Sequence, residues 1–137
     1  MRLSLDHVHV FASDVAATLD FLEGMLGGRV IWDRSAAGVR NVRVRIGAGF
    51  VHVYDQPPRG ARGGAVHHLG IETDNLDAVV LRMKHRGFNF RNPVREDPNF
   101  RYVMIAGPDD LLIEIFEARD PGAWEIAATS GTPPDAS

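Results

Sequence analysis

Leu5-Asp6-His7-Val8-His9-Val10-Phe11-Ala12-Ser13-Asp14 lies near the start of the chain, and the apolar helical stretch after it closes on Gly27-Gly28. About sixty residues later the same order returns as Val66-His67-His68-Leu69-Gly70-Ile71-Glu72-Thr73-Asp74, followed by a helical stretch that closes on Gly87. Each copy is a short apolar strand bearing a histidine, then an acidic helix cap, then a helix. An internal duplication that repeats a histidine points to a two-fold site with one ligand from each half.

Working outward, alternation predicts a strand over residues 3–12. Leu3, Leu5, His7, His9 and Phe11 share one face, and Val8, Val10 and Ala12 the other. Ser13 or Asp14 caps a helix with apolar positions at Val15, Leu19, Leu22 and Leu26, and the two glycines stop it. Residues 30–33 read as a short strand. In residues 41–46, Val42, Val44 and Ile46 oppose Asn41, Arg43 and Arg45. Gly47-Ala48-Gly49 then turns the chain into residues 50–55, where Phe50, His52 and Tyr54 oppose Val51 and Val53. Two prolines and three glycines mark residues 56–64 as a connector. The second copy repeats the scheme. Residues 66–73 form a strand with His68, Gly70 and Glu72 on one face, and His67, Leu69 and Ile71 on the other. Asp74 caps a helix to about residue 86. Residues 88–90 are short and extended, residues 92–99 a polar loop. Strands at 101–106 and 111–117 are joined by Gly107-Pro108-Asp109-Asp110.

Each half is therefore strand, helix, three strands, and one such half cannot close a core alone. The expected fold is α+β. Two tandem βαβββ modules, residues 1–62 and 63–118, form one structural domain with a curved mixed sheet, helices on its convex side and a concave metal site. Residues 119–137, with Pro121, Pro133 and Pro134, are expected to form a partly disordered tail.

Composition narrows the function. The chain has 137 residues, 45% of them hydrophobic and 24% charged, as expected of one globular domain that needs no covalent staples. It has no cysteine, so disulfides and thiolate metal sites are excluded, and a metal would have to use His, Asp, Glu or water. The net charge of −3 gives no basic field for nucleic acid. No apolar run approaches the roughly 20 residues that span a bilayer, and no leader pattern precedes the first strand, so a cytoplasmic protein is expected.

The chemistry-bearing residues fall on matching faces. His7 and His9 lie on the inner face of the first strand, His52 on the fourth, His68 on the fifth, and Glu114 on the last between Leu112 and Phe116. Three imidazoles and a carboxylate converging from four strands suit one divalent ion of zinc, iron, manganese, cobalt or nickel. Alternation turns His67 away from this cavity. His9 lies inward, one step from the expected ligand, and His85 sits among charges on a helix. Tyr54, Tyr102, Met104 and Phe116 would line the wall. Arg43 and Arg45 either form an exposed strand face or bind a substrate carboxylate or phosphate. Glu72 shares a face with His68; an inward carboxylate needs a partner, so it would orient a ligand, pair with an arginine or serve as a base.

These features resemble the vicinal oxygen chelate superfamily of glyoxalase I, bleomycin-resistance proteins and extradiol dioxygenases. The resemblance covers residues 3–118 and rests on four motifs: His7 to Asp14, its repeat His68 to Asp74, the helix end Phe21 to Leu26-Gly27, and Pro108-Asp109 followed by Ile113-Glu114. It implies metal ligation by His7, His68 and Glu114. The fourth-strand position, Glu or Gln in glyoxalase I and methylmalonyl-CoA epimerase, falls on His52, as a ligand or as an acid/base. The chain departs from the family where Pro-Asp-Gly reads Pro108-Asp109-Asp110, where Phe-Tyr reads Phe21-Leu22, and at His52 itself.

The implied activity is an isomerase, epimerase or lyase acting through a metal-stabilised enediolate on a small oxygenated, anionic substrate. Glu114 is then the first candidate base, with Glu72 and His52 next. The alternatives are an Fe(II) extradiol-type dioxygenase, whose usual tyrosine falls on Met104 with Tyr102 two residues away, and a metal-free ligand-binding resistance protein, whose members typically lack the ligand set. A fosfomycin-type thiol transferase would share the three ligands, but its cation-binding loop is not evident. A small molecule is the expected partner, and a homodimer the expected assembly, with the first and last strands as its edges.

Overall fold

A computed structural model describes residues 1–2, 5–36, 38–58 and 66–120. The first module contains β1 (His7–Phe11), α1 (Val15–Gly24), β2 (Arg29–Ala36), β3 (Val39–Ile46) and β4 (Gly49–Tyr54). The second contains β5 (Leu69–Glu72), α2 (Leu76–His85), β6 (Arg95–Glu96), β7 (Phe100–Ala106) and β8 (Leu112–Ala118), with a single 3-10 turn at Pro108–Asp110 before β8. Each module forms a four-stranded mixed sheet, in the orders β1-β4-β3-β2 and β5-β8-β7-β6. In both, the strand before the helix pairs in parallel with the last strand, and the other neighbours are antiparallel. The duplication read in the sequence is thus a duplication of topology.

The helices cover one face of each sheet. Val15, Leu19 and Leu22 of α1 pack with Val42, Val44, Val51 and Val53, all buried. Leu76 and Met83 of α2 pack with Val103, Ile105, Ile113 and Ile115. Alternation therefore leaves the opposite face to the histidines, Arg43 and Glu114. Phe21 and Leu26, at the end of α1, pack against both clusters and join the modules. Two polar contacts reinforce the joint: Ser13 N–H donates to Asp109 Oδ2 at 3.0 Å, and Arg82 Nη2 donates to the Met25 carbonyl at 2.8 Å.

Four sequence expectations are corrected. The cap of α2 is Asn75, whose Oδ1 accepts from Ala78 N–H at 3.0 Å, because helical backbone begins only at Leu76 and the cap is the residue directly before it. Asp14 does cap α1 in this way. Residues 88–90 form no strand; Phe88 and Phe90 instead pack edge to face, ring centroids 4.9 Å apart. The sixth strand is Arg95–Glu96, inside the stretch read as a polar loop, because two residues carry no periodicity to read. The fifth strand begins only at Leu69, so His67 and His68 precede it. The expected tail lies, from residue 121 onward, outside the described residues, as do residues 59–65 of the connector.

Candidate functional site

In the first module a row of side chains crosses the sheet at one register. His9 stands opposite His52, His52 opposite Arg43, and Arg43 opposite Trp32. The His7 ring stacks on His52, centroids 3.8 Å apart and planes within 7°. The Trp32 ring meets His52 edge-on at 5.2 Å. His52 is only 9% exposed. Burial and then the neighbouring His7 hold its pKa below the usual histidine value, as burial and His7 do for His9. Both imidazoles are therefore held toward the neutral form, the form that ligates metal.

Asp6 organises the group. Its Oδ2 is 2.8 Å from His7 Nδ1 and accepts from Arg43 Nη1 at 2.7 Å, while Oδ1 accepts from Arg43 Nη2 at 3.0 Å. The guanidinium first, and His7 second, hold the Asp6 carboxyl well below the ordinary carboxylate range. Arg43 Nη1 also lies 2.8 Å from His52 Nε2, and its guanidinium sits 3.6 Å over the Phe50 ring. Since Arg43 can only donate, His52 Nε2 accepts, and the proton of the neutral ring is assigned to Nδ1.

The second module repeats this geometry with different residues. Gly70 stands opposite Glu114 and Glu114 opposite Met104. By register, His9 corresponds to Gly70, His52 to Glu114 and Arg43 to Met104; His7, two residues before His9, corresponds in sequence to His68, two residues before Gly70 and just ahead of β5. His68 Nε2 lies 3.9 Å from Glu114 Oε2. Tyr102, Phe100 and Phe116 form an aromatic wall beside the pair, with centroids 5.4 and 6.2 Å apart. His67, expected to turn away, has its Nδ1 2.8 Å from that of His68. Strand alternation does not govern residues outside the strand.

The predicted ligands thus assemble as two pairs on two sheets. Among the described residues, the three side chains close enough to share one ion are Asp6, His7 and His52. His68 and Glu114 form their own pair. A cavity of about 700 Å³ lies along the edges of β1 and β5 and carries one imidazole from each module, His7 and His68. Glu72 lines the same cavity but is exposed, so the burial penalty read from its face does not arise. Arg45 is exposed and donates from Nε to the Gly47 carbonyl at 2.8 Å, bracing the β3–β4 turn. Tyr54 packs against His9 at 4.4 Å. His85 is exposed, as expected. Sequence reading missed Asp6, because alternation over the expected strand 3–12 puts it on the Val8 face, whereas it lies ahead of β1, where alternation does not hold. It also missed Trp32, whose pairing with Arg43 exists only in the sheet.

The donor chemistry of the Asp6, His7 and His52 group fits a divalent cation: two imidazoles and a carboxylate, with no thiolate.

Comparison with known proteins agrees with this architecture. Residues 4–115 match the family model described as Glyoxalase/Bleomycin resistance protein/Dioxygenase superfamily. An uncharacterized protein of Bacillus subtilis (strain 168), YwbC, is 26% identical over 130 residues, covering 85% of this chain and 99% of that protein. Among solved structures, a variant of the fosfomycin resistance protein FosX from Listeria monocytogenes, complexed with Mn(II) and a dihydroxypropylphosphonic acid, aligns with TM-score 0.71 at 16% identity, over 86% of this chain and 94% of that one. TnmS3, an antibiotic binding protein from Streptomyces sp. CB03234, aligns with TM-score 0.71 at 24% identity, over 86% and 98%. At these identities the structural likeness speaks for the fold.

Proposed function

From the premise that the chain belongs to the Glyoxalase/Bleomycin resistance protein/Dioxygenase superfamily, we propose that it is a metal-dependent enzyme of isomerase, epimerase or lyase type, acting on a small oxygenated anion. The carrying observation is the register equivalence of the two half-sites: His7 with His52 in one module, His68 with Glu114 in the other. Each half offers two donors on the sheet face away from its helix. We propose that two protomers bring unlike halves together, so that His7 and His52 of one meet His68 and Glu114 of its partner. The FosX neighbour, complexed with Mn(II), supports a divalent ion in this fold.

The metal, when bound, supplies the Lewis acidity that lets a C–H beside a carbonyl lose its proton. The protein's own groups do the rest. Glu114 accepts that proton and returns it, being the one carboxylate in the proposed ligand set. Tyr102, Phe116 and Met104 exclude water on one side, and Tyr54, His9 and Trp32 do so on the other. Glu72 and His52 are the further acid/base candidates, and Arg45 is the remaining candidate for the substrate anion, since both terminal nitrogens of Arg43 already serve Asp6.

The dioxygenase reading is weaker. The residue opposite Glu114 is Met104, and Tyr102 is packed against Phe100. The binding-protein reading draws on the likeness to TnmS3, and the ligand set weighs against it. Elemental analysis of protein purified without a polyhistidine tag separates the two. About one divalent ion per chain, lost in His68→Ala, supports the enzyme reading. A wild-type chain without metal, or His68→Ala with unchanged metal, sinks it.

A further inference from the structure

The half-sites differ in one respect that the duplication does not predict. In the second module the residue opposite Glu114 is Met104, which is apolar and uncharged. In the first, the register-equivalent residue opposite His52 is Arg43. Its Nη1 lies 2.7 Å from Asp6 Oδ2 and 2.8 Å from His52 Nε2. Both of those residues belong, with His7, to the group of donors near enough to share an ion.

We propose that Arg43 is a resident cation that competes with the divalent metal for the first half-site and so sets the metal affinity of the protein. The inference rests on the metal-dependent reading above and adds a residue that opposes it. Three features carry it. A lone pair on His52 Nε2 that accepts from a guanidinium cannot at the same time bind a metal, and the assigned proton occupies Nδ1. Asp6, whose charge would favour a dication, is already neutralised through two hydrogen bonds from the Arg43 fork. The guanidinium is further held against Phe50 at 3.6 Å, and the side chain is only 16% exposed, so it does not leave without losing that ring contact as well as its hydrogen bonds. A metal that takes His52 must displace Arg43, and a guanidinium that stays nearby repels it.

The substitution that tests this is written into the second module. Arg43→Met places at this register the residue the duplicate already carries, and Arg43→Gln is a polar neutral alternative should the first fold poorly. Zn²⁺ affinity is measured for the full chain by competition with a chromophoric chelator. The expected result is a dissociation constant at least tenfold lower in either variant than in wild type. A constant equal to or higher than wild type overturns the proposal. A second readout needs no metal: ¹⁵N shifts of the His52 ring should report an Nδ1–H tautomer with Nε2 accepting in wild type, and a change of tautomer balance in Arg43→Met. An unchanged spectrum likewise overturns it. The outcomes distinguish this inference from the enzyme reading. If wild type binds no Zn²⁺ but Arg43→Met does, the competition stands and the enzyme reading falls. If both bind equally, the competition falls and the enzyme reading stands.

Discussion

Glu114 is placed on β8 between the buried Ile113 and Ile115, so the strand's alternation alone turns it toward the site face. Gly70 beside it has no side chain, and Met104 on its other flank offers no charge. A carboxylate with such neighbours and an imidazole at 3.9 Å is available both to a metal and to a proton. Replacing Glu114 by Gln keeps the volume and removes the basicity. Turnover per bound metal, measured on a panel of 2-oxo acids and hemithioacetals, should fall by roughly 10²- to 10⁴-fold, the usual contribution of a general base. Turnover per metal equal to wild type would assign the base elsewhere, with Glu72 next to test. His7, His52 and Glu114 were legible as residues because alternation in a strand fixes the face of each; His68, which precedes β5, was legible only as the repeat of the His7 stretch. Asp6 was not, since it acquires its role only through contacts with Arg43, thirty-seven positions away along the chain.

At the scale of elements, the end of α1 is set by close approach. A Cβ on Gly28 would stand 2.8 Å from the Leu22 carbonyl oxygen and 2.9 Å from Val44 Cγ1, while the Gly28 N–H donates to that same carbonyl at 2.8 Å. The backbone oxygen cannot move without undoing the helix end. Gly28→Ala should therefore destabilise the protein by about 1–3 kcal/mol, a drop in Tm of several degrees by calorimetry. A Tm equal to wild type would show that α1 and β3 can part at that point. In the second module, Arg101 of β7 bridges Asp77 of α2 at 3.1 Å and Glu96 of β6 at 3.0 Å. The Arg101 guanidinium holds the Asp77 pKa below its ordinary value. A lowered carboxyl pKa means stability that is present above the unfolded-state pKa, about 3.9, and is lost as pH falls through the folded value. Asp77→Asn should lower Tm slightly at pH 7 and leave it unchanged near pH 2; Asp77 is exposed, so the difference is small and shrinks in high salt. A difference that persists at pH 2 would assign the effect to helix packing instead.

At the scale of the molecule, β1 and β5 stand at edges of their sheets, with Leu5 at 91% and Val66 at 71% exposure beside them, whereas β8, expected as an edge, lies between β5 and β7 because the strand before the helix pairs with it. Unpaired edges flanked by apolar side chains call for cover, and a second protomer supplies it while completing the ligand set. Sedimentation at micromolar concentration should show a dimer, and a monomer alone would reject the shared site. A sharper test mixes two defective chains. Refolding His7→Ala with His68→Ala in equal amounts should restore metal retention to about a quarter of wild type, because half of the dimers are mixed and each mixed dimer has one intact site. Sites built within one chain would restore none.

Periodicity and punctuation determined the two βαβββ modules, the end of α2 at Gly87, and which residues share a face with His7, because these depend on neighbours within a few positions. The family match over residues 4–115 agrees with that reading. Asn75 rather than Asp74 at the cap of α2, and the two-residue β6, lay at the edge of what such patterns specify. Only the tertiary structure decided that the ligands gather as two pairs, that Asp6 joins one of them, and that Arg43 faces His52 rather than open solvent. Those facts depend on register between strands distant in sequence and on the packing of α1 between the modules. Alternation fixes the side of a sheet on which a residue lies; pairing with other strands fixes what stands beside it there.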